Sequence, residues 1–222
     1  MFYQHNINGD TRLAIWKIEE HDDYFLSHVP LNREVTHPYK RLQHLAGRFL
    51  LPSLFPDFPL RSILIADTRK PYLVDEQYHF NISHCGNFAA AIASTSERVG
   101  IDIELVTSRI LRIAPKFINE QEKLFLDEWK HLSGLYNELV TLIWSAKEAI
   151  FKWYGNGGVD FRSHVQLQNK IVFRANEWME MEFLFLKDSP VELNIRARIF
   201  DGLVLAYVHT LTPQTTSSRL LL

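Results

Sequence analysis

Two short stretches decide how this chain is read: Val99-Gly100-Ile101-Asp102-Ile103-Glu104 and, about forty residues later, Trp144-Ser145-Ala146-Lys147-Glu148-Ala149-Ile150-Phe151-Lys152. The first is a β-branched apolar run, which favours a strand, and a two-residue period puts Asp102 and Glu104 on one face. Ile101 and Ile103 take the other face. Gly100, lacking a Cβ, permits close approach of another element just before the acids. The second stretch has helical spacing, so Glu148 and Lys152 stand one turn apart. Each pattern alone is ordinary: acids at i and i+2 often line a solvated strand face, and a Glu to Lys pair at i and i+4 supports a helix by only about 0.3–0.5 kcal/mol. Together they offer three carboxylates and an ammonium to one site, a donor set suited to a hard divalent cation.

Gly100-Ile101-Asp102-x-Glu104, followed by Trp144-Ser145-x-Lys147-Glu148-Ala149-x-x-Lys152, closely resembles the two-part signature of the 4′-phosphopantetheinyl transferases. The resemblance continues upstream in Phe80-Asn81-Ile82-Ser83-His84, in Lys70-Pro71-Tyr72-Leu73, and in the helical stretch that carries Arg41 and Arg48. Its span is roughly residues 41–152. At 222 residues the chain is similar in size to the surfactin-synthetase-activating type, a single chain of two similar halves. Cys85 stands where a serine or threonine is common, and Arg69 where a glycine is frequent. Neither departure removes a proposed ligand.

The resemblance implies an α+β fold of two similar α/β subdomains related by a pseudo-twofold axis. The halves are expected over residues 1–96 and 97–212, with a tail over 213–222. It implies transfer of the 4′-phosphopantetheine group of coenzyme A to a serine of an apo acyl or peptidyl carrier protein, with release of adenosine 3′,5′-bisphosphate. Asp102, Glu104 and Glu148 are the implied ligands of Mg²⁺, with Mn²⁺ as an alternative. Glu148 and Lys152 are the implied catalytic residues, and Arg41, Arg48, Lys70, Ser83, His84 and Lys152 the implied coenzyme A ligands. The serine nucleophile belongs to the carrier, so the base is Glu148 or a metal-bound water. Lys147, being a cation, is no metal ligand: it shapes the helix or meets the pantetheine phosphate. A basic and apolar surface for the acidic carrier is expected around Arg109, Arg112 and Lys116 with Ile110, Leu111 and Ile113. Two other readings remain open: a non-catalytic relative that binds coenzyme A or a carrier, and another Mg²⁺-dependent phosphoryl-transfer enzyme.

Composition narrows the rest. Apolar residues make up 46% and aromatic residues 13%, enough for a sizeable core and against disorder. A net charge of −2 gives no electrostatic case for nucleic acid. One cysteine excludes an internal disulfide, and the ten histidines show no zinc-site spacing. Neither a signal sequence nor an apolar run long enough for a membrane span is apparent, so a cytoplasmic protein is expected, and the two-half length that the resemblance implies points to a monomer.

Local patterns predict a strand over 12–17, a helix over 39–51 that stops before Pro52, and strands over 63–66, 80–83, 88–93 and 99–106. Helices are predicted over 119–132 and 136–154, the second ended by Gly155, with a break at Ser133-Gly134 between them. Strands over 161–173 and 181–186 follow, then a hairpin of 191–200 with 203–209 about Asp201-Gly202.

Overall fold

The structure, a computed structural model, describes residues 1–30 and 35–211. The expected tail over 213–222 lies outside them. In chain order the elements are β1 (Tyr3–Asn6), β2 (Thr11–Lys17), α1 (Asp22–Leu26), α2 (Pro38–Leu54), β3 (Leu64–Ile65), β4 (Pro71–Tyr72), β5 (His79–Cys85), β6 (Phe88–Ser94) and β7 (Glu97–Leu105). After them come α3 (Ile110–Ile113), α4 (Glu120–Asp127), α5 (Ser133–Tyr154), β8 (Val165–Leu167), β9 (Met179–Phe185), β10 (Val191–Phe200) and β11 (Leu203–Leu211).

These strands form two antiparallel sheets, ordered β1-β2-β6-β5 and β7-β11-β10-β9-β8, beside the small β3-β4 pair. The result is a mixed α/β architecture of four layers, α2 on the first sheet and α5 on the second with the sheets back to back. Side-chain alternation builds it. Along β11, Leu203, Leu205 and Tyr207 join Leu13, Ile15 and Ile92 between the sheets, while Val204, Ala206 and Val208 pack beneath α5 with Ile143, Ala146 and Ile150. On the first sheet Ala89, Ala91 and Ala93 are small enough for Leu45, Ala46 and Leu50 of α2 to settle close.

Strand β7 obeys the same rule with a consequence for function. Val99, Ile101 and Ile103 enter the inter-sheet core, so Gly100, Asp102 and Glu104 turn toward α5. A Cβ placed on Gly100 would sit 2.1 Å from the Ala149 carbonyl oxygen and 2.8 Å from Trp153, so only glycine lets the helix lie this low on the strand. That approach brings the acids of β7 under the face of α5 that carries Glu148 and Lys152.

Several boundaries differ from the sequence-based expectation. Helix α2 runs through Pro52 to Leu54, because Leu51 and Leu54 are buried and hold a last turn that proline alone would end. Ser133-Gly134 opens α5 instead of separating two helices, and the preceding helix stops at Asp127. The strand expected over 161–173 shrinks to Val165–Leu167, since residues 161–164 form a turn in which Asp160 accepts hydrogen bonds from the amides of Arg162 and Ser163. Strand β1 and helix α1 had no distinct signal. The Asp201-Gly202 hairpin is as expected, both residues having positive φ, and Gly155 ends α5 at φ 77°.

Candidate functional site

Strand β5, the edge of the first sheet, runs beside β7 at the seam between the sheets and is tied to it by side chains. Asn81 donates to the Val99 carbonyl at 2.7 Å, and Ser83 Oγ accepts from the Ile103 amide at 3.3 Å. The seam, roofed by α5, is a cleft with two chemically different stations.

The central station holds the acids. Asp102 is 3% exposed. Its Oδ1 accepts from Ser83 Oγ at 2.8 Å and from Lys152 Nζ at 2.6 Å, while Lys152 also donates to Ser83 Oγ at 2.8 Å. Its Oδ2 is buried without a hydrogen-bond partner. Glu104 accepts a hydrogen bond from Trp144 Nε1 at 3.0 Å and another from the Cys85 thiol. No hydrogen bond to a described residue reaches Glu148. Burial, and then the Asp102 charge, pushes the Glu148 carboxyl up to about 7 against the opposing pull of Lys152; burial and Asp102 also raise Glu104.

These are the marks of too much negative charge for the positive charge at hand. Among the described residues, no group of three histidine, cysteine or carboxylate side chains is assembled to hold a metal ion, and Lys152 lies against Asp102. The donor chemistry nevertheless fits a hard cation: an orphaned buried carboxylate oxygen on Asp102, and two acids raised by burial and then by the charge of Asp102. Three oxygen donors leave room for phosphate and water.

The remaining expected residues fall in different places. Ser83 belongs to the acid station. His84, next along the strand, points the other way at the exposed end of β5, within electrostatic reach of Lys40, Lys152 and Asp102. Arg48 contacts His44 at 2.9 Å on α2. Arg41 is joined to Asp22 of α1, not to a member of the acid station. Lys70 lies at the second station, a cavity of about 630 Å³ at the start of β5 and β7.

Lys147 and its partner show what sequence reasoning passed over. Fully buried, Lys147 donates to the Phe117 carbonyl at 2.6 Å, the Phe161 carbonyl at 2.9 Å and Glu122 at 2.8 Å. Glu122 in turn accepts from the amides of Asn119 and Leu167, both at 2.9 Å, completing a capping box at the start of α4. Lys147 therefore ties α4 and its flanking loops to α5 and does not face the cleft. The sequence signal for Glu122 was the Asn119-x-x-Glu122 pattern. Lys40 and Arg98 carried no signal beyond their charge, and nothing in the pattern around Trp144 said that its indole would hold Glu104.

Comparison with known proteins gives a consistent picture. The family model described as the 4′-phosphopantetheinyl transferase superfamily matches residues 98–208, half of the chain. A protein of Haemophilus influenzae called a putative 4′-phosphopantetheinyl transferase is 33% identical over 147 residues, 61% of this chain and 59% of the relative. A 4′-phosphopantetheinyl transferase of Aneurinibacillus migulanus is 34% identical over 88 residues, 40% of this chain and 35% of its own. The human L-aminoadipate-semialdehyde dehydrogenase-phosphopantetheinyl transferase is 30% identical over 108 residues, 44% of this chain and 32% of its own. The chain thus spans about three fifths of the first relative's length and about a third of the other two.

Proposed function

The chain belongs to the 4′-phosphopantetheinyl transferase superfamily, and from that premise we propose that it moves the 4′-phosphopantetheine group of coenzyme A onto a serine of an apo carrier protein, releasing adenosine 3′,5′-bisphosphate. The observation that carries the reading is Asp102: a buried carboxylate with one oxygen on Lys152 and the other on nothing, beside two further acids and under the matched motif. Asp102, Glu104 and Glu148 would hold Mg²⁺, which when bound polarises the pyrophosphate and offsets the charge that grows on the departing oxygen.

The chain's own residues supply the rest. The serine oxygen of the carrier attacks the phosphorus on the pantetheine side, the bond to the bridging oxygen breaks, and the bisphosphate leaves with the electron pair. Lys152, already within the Asp102 and Ser83 network, is placed to meet phosphate oxygens as they gain charge. Glu148, free of hydrogen bonds to described residues and on the same helix face, takes the serine proton. Ser83 holds Lys152 and Asp102 in register, and His84 with Arg48 extends the basic side along β5 and α2. Arg41 joins them once released from Asp22. Helix α3 offers the carrier surface: Ile110 anchors it in the core while Arg109, Leu111, Arg112 and the following Lys116 are exposed.

Two halves, over 1–96 and 97–212, related by a pseudo-twofold axis, are part of the same reading. It is supported by the change of sheet between β6 and β7 and by a helix on the outer face of each sheet. A cytoplasmic monomer completes it. No helix among the described residues is long and apolar enough to cross a membrane.

The test follows adenosine 3′,5′-bisphosphate by chromatography in mixtures of the protein, coenzyme A, Mg²⁺ and an apo carrier. Release that needs the carrier's serine and stops on chelation supports the transfer. Release without a carrier would replace it with hydrolysis of coenzyme A.

A further inference from the structure

Lys70 and Arg98 line the second station of the cleft. The group that the mechanism leaves unused sits at the first. Ser145 of α5 is fully buried, and its Oγ has no hydrogen-bond partner among the described residues. A serine or threonine inside a helix can turn its hydroxyl back to the carbonyl four residues earlier. Thr141, one turn before Ser145, does so, donating to the Asn137 carbonyl at 2.7 Å. Ser145 leaves the Thr141 carbonyl unused. A hydroxyl taken out of water without a partner destabilises the fold, and an alanine in its place would favour the helix more. Packing alone therefore gives no reason for a serine here.

Its place on the helix points to one. Helical spacing puts Ser145 on a stripe with Glu148, Ala149 and Lys152. That stripe bears on β7: Ala149 and Trp153 lie against Gly100, and Trp144 reaches Glu104, so helix and strand run in opposite directions. One turn back from Ala149 is about 5.4 Å, and two residues on from Gly100 are about 6.7 Å. Ser145 accordingly stands over Asp102, with Glu104 next along the strand and Glu148 next along the helix. Asp102 Oδ1 is held by Ser83 and Lys152, but Oδ2 is buried without a partner. Two orphaned polar atoms thus belong to facing surfaces, one able only to accept and the other able to donate.

We propose that Ser145 is a positioning residue of the cation site: with that site occupied, its hydroxyl turns about χ1 and donates to Asp102 Oδ2, fixing the plane of the carboxylate. The inference rests on the transferase reading, which supplies the cation. Ser145 acts through Asp102 and is no ligand itself. With Ser83 and Lys152 on Oδ1 and Ser145 on Oδ2, the carboxylate is held from both sides, and a lone pair of Oδ2 stays free for the metal. Partners that orient a ligating side chain in this way are typically worth about 10–100-fold in metal affinity.

Binding of Mn²⁺ to the full chain, followed by the electron paramagnetic resonance of the free ion with and without coenzyme A, decides the matter in wild type, Asp102→Asn, Ser145→Ala and Ser145→Cys. Thermal melts without metal establish that each protein is folded. Ser145→Ala is expected to melt at or above the wild-type temperature, because it removes an unpartnered hydroxyl and favours the helix. It should nevertheless bind Mn²⁺ about 10–100-fold more weakly. Ser145→Cys fills the same space with a weak donor, so its affinity should lie with Ser145→Ala and not with wild type. A change of less than about two-fold in Ser145→Ala, or full affinity in Ser145→Cys, overturns the inference and leaves the transferase reading standing. So does an affinity loss that comes with a lower melting temperature, the mark of a purely structural role. Wild type that binds no Mn²⁺ in either condition, or an Asp102→Asn protein that binds it equally well, overturns both.

Discussion

Glu97 and Glu148 are both acids set against the sheet-helix core, and their surroundings push them in opposite directions. At the start of β7, Glu97 accepts from Thr11, from Asn8 at 3.0 Å and from His209, whose Nδ1 lies 2.9 Å away. Its burial works upward, but these hydrogen bonds outweigh it and hold the carboxyl below its usual value. Glu148 has no such partners, and burial with Asp102 pushes it upward. A buried charge that the fold has satisfied is architecture; a buried charge left wanting is a place for something else. Glu122 belongs with Glu97, and Asp102 and Glu104 with Glu148. The contrast is sharpest within α5, where Lys147 and Glu148 are consecutive and face opposite fates.

The largest break in that contrast should come from the satisfied side. Lys147→Met strands the fully buried Glu122 and should cost about 3–5 kcal/mol in chemical denaturation. Asp102→Asn should do the reverse: stability within about 1 kcal/mol of wild type, and carrier modification lower by roughly 10²–10³. An Asp102→Asn protein that unfolds would move this acid into the structural group.

Glu97→Gln tests the satisfied acid by pH. A carboxyl depressed in the folded state contributes stability above its unfolded value of 4.5, and that contribution is lost as pH falls through the folded value. The variant should therefore melt below wild type near neutrality, by about 1–2 kcal/mol, with the gap closing as pH drops under 4.5. A gap that widens in acid would reverse the assignment. Smallest of all is Arg41→Ala, whose partly exposed bond to Asp22 should contribute less than about 1 kcal/mol. Coenzyme A affinity, measured by calorimetry, should fall by up to about ten-fold in the same variant, and an unchanged affinity would remove Arg41 from the site.

Much of this was legible in the sequence because the periods were clean. Alternation in β7 gave the shared face of Asp102 and Glu104, and helical spacing gave the pairing of Glu148 with Lys152. Gly100 announced the close approach that brings the two together. What stayed hidden depends on contacts between distant segments. Nothing local says that Lys147 turns away to Glu122, that Trp144 reaches Glu104, or that Arg98 ends beside Lys70. The short β8 was overread because Phe161 and Val165 are apolar, although Asp160 imposes a turn between them. Helix α2 was cut short because proline chemistry was weighed without the buried Leu51 and Leu54 that outweigh it.

The most direct test of the contrast is intact-mass spectrometry of an apo carrier protein incubated with coenzyme A, Mg²⁺ and, in parallel, the wild type, Glu97→Gln and Asp102→Asn proteins, each shown to be folded. The account expects a gain of one phosphopantetheine mass at similar rates with the first two and at a rate lower by roughly 10²–10³ with the third. Modification by Asp102→Asn at the wild-type rate, or its loss in folded Glu97→Gln, would contradict the claim that the unsatisfied acids of β7 and α5 are the seat of the reaction.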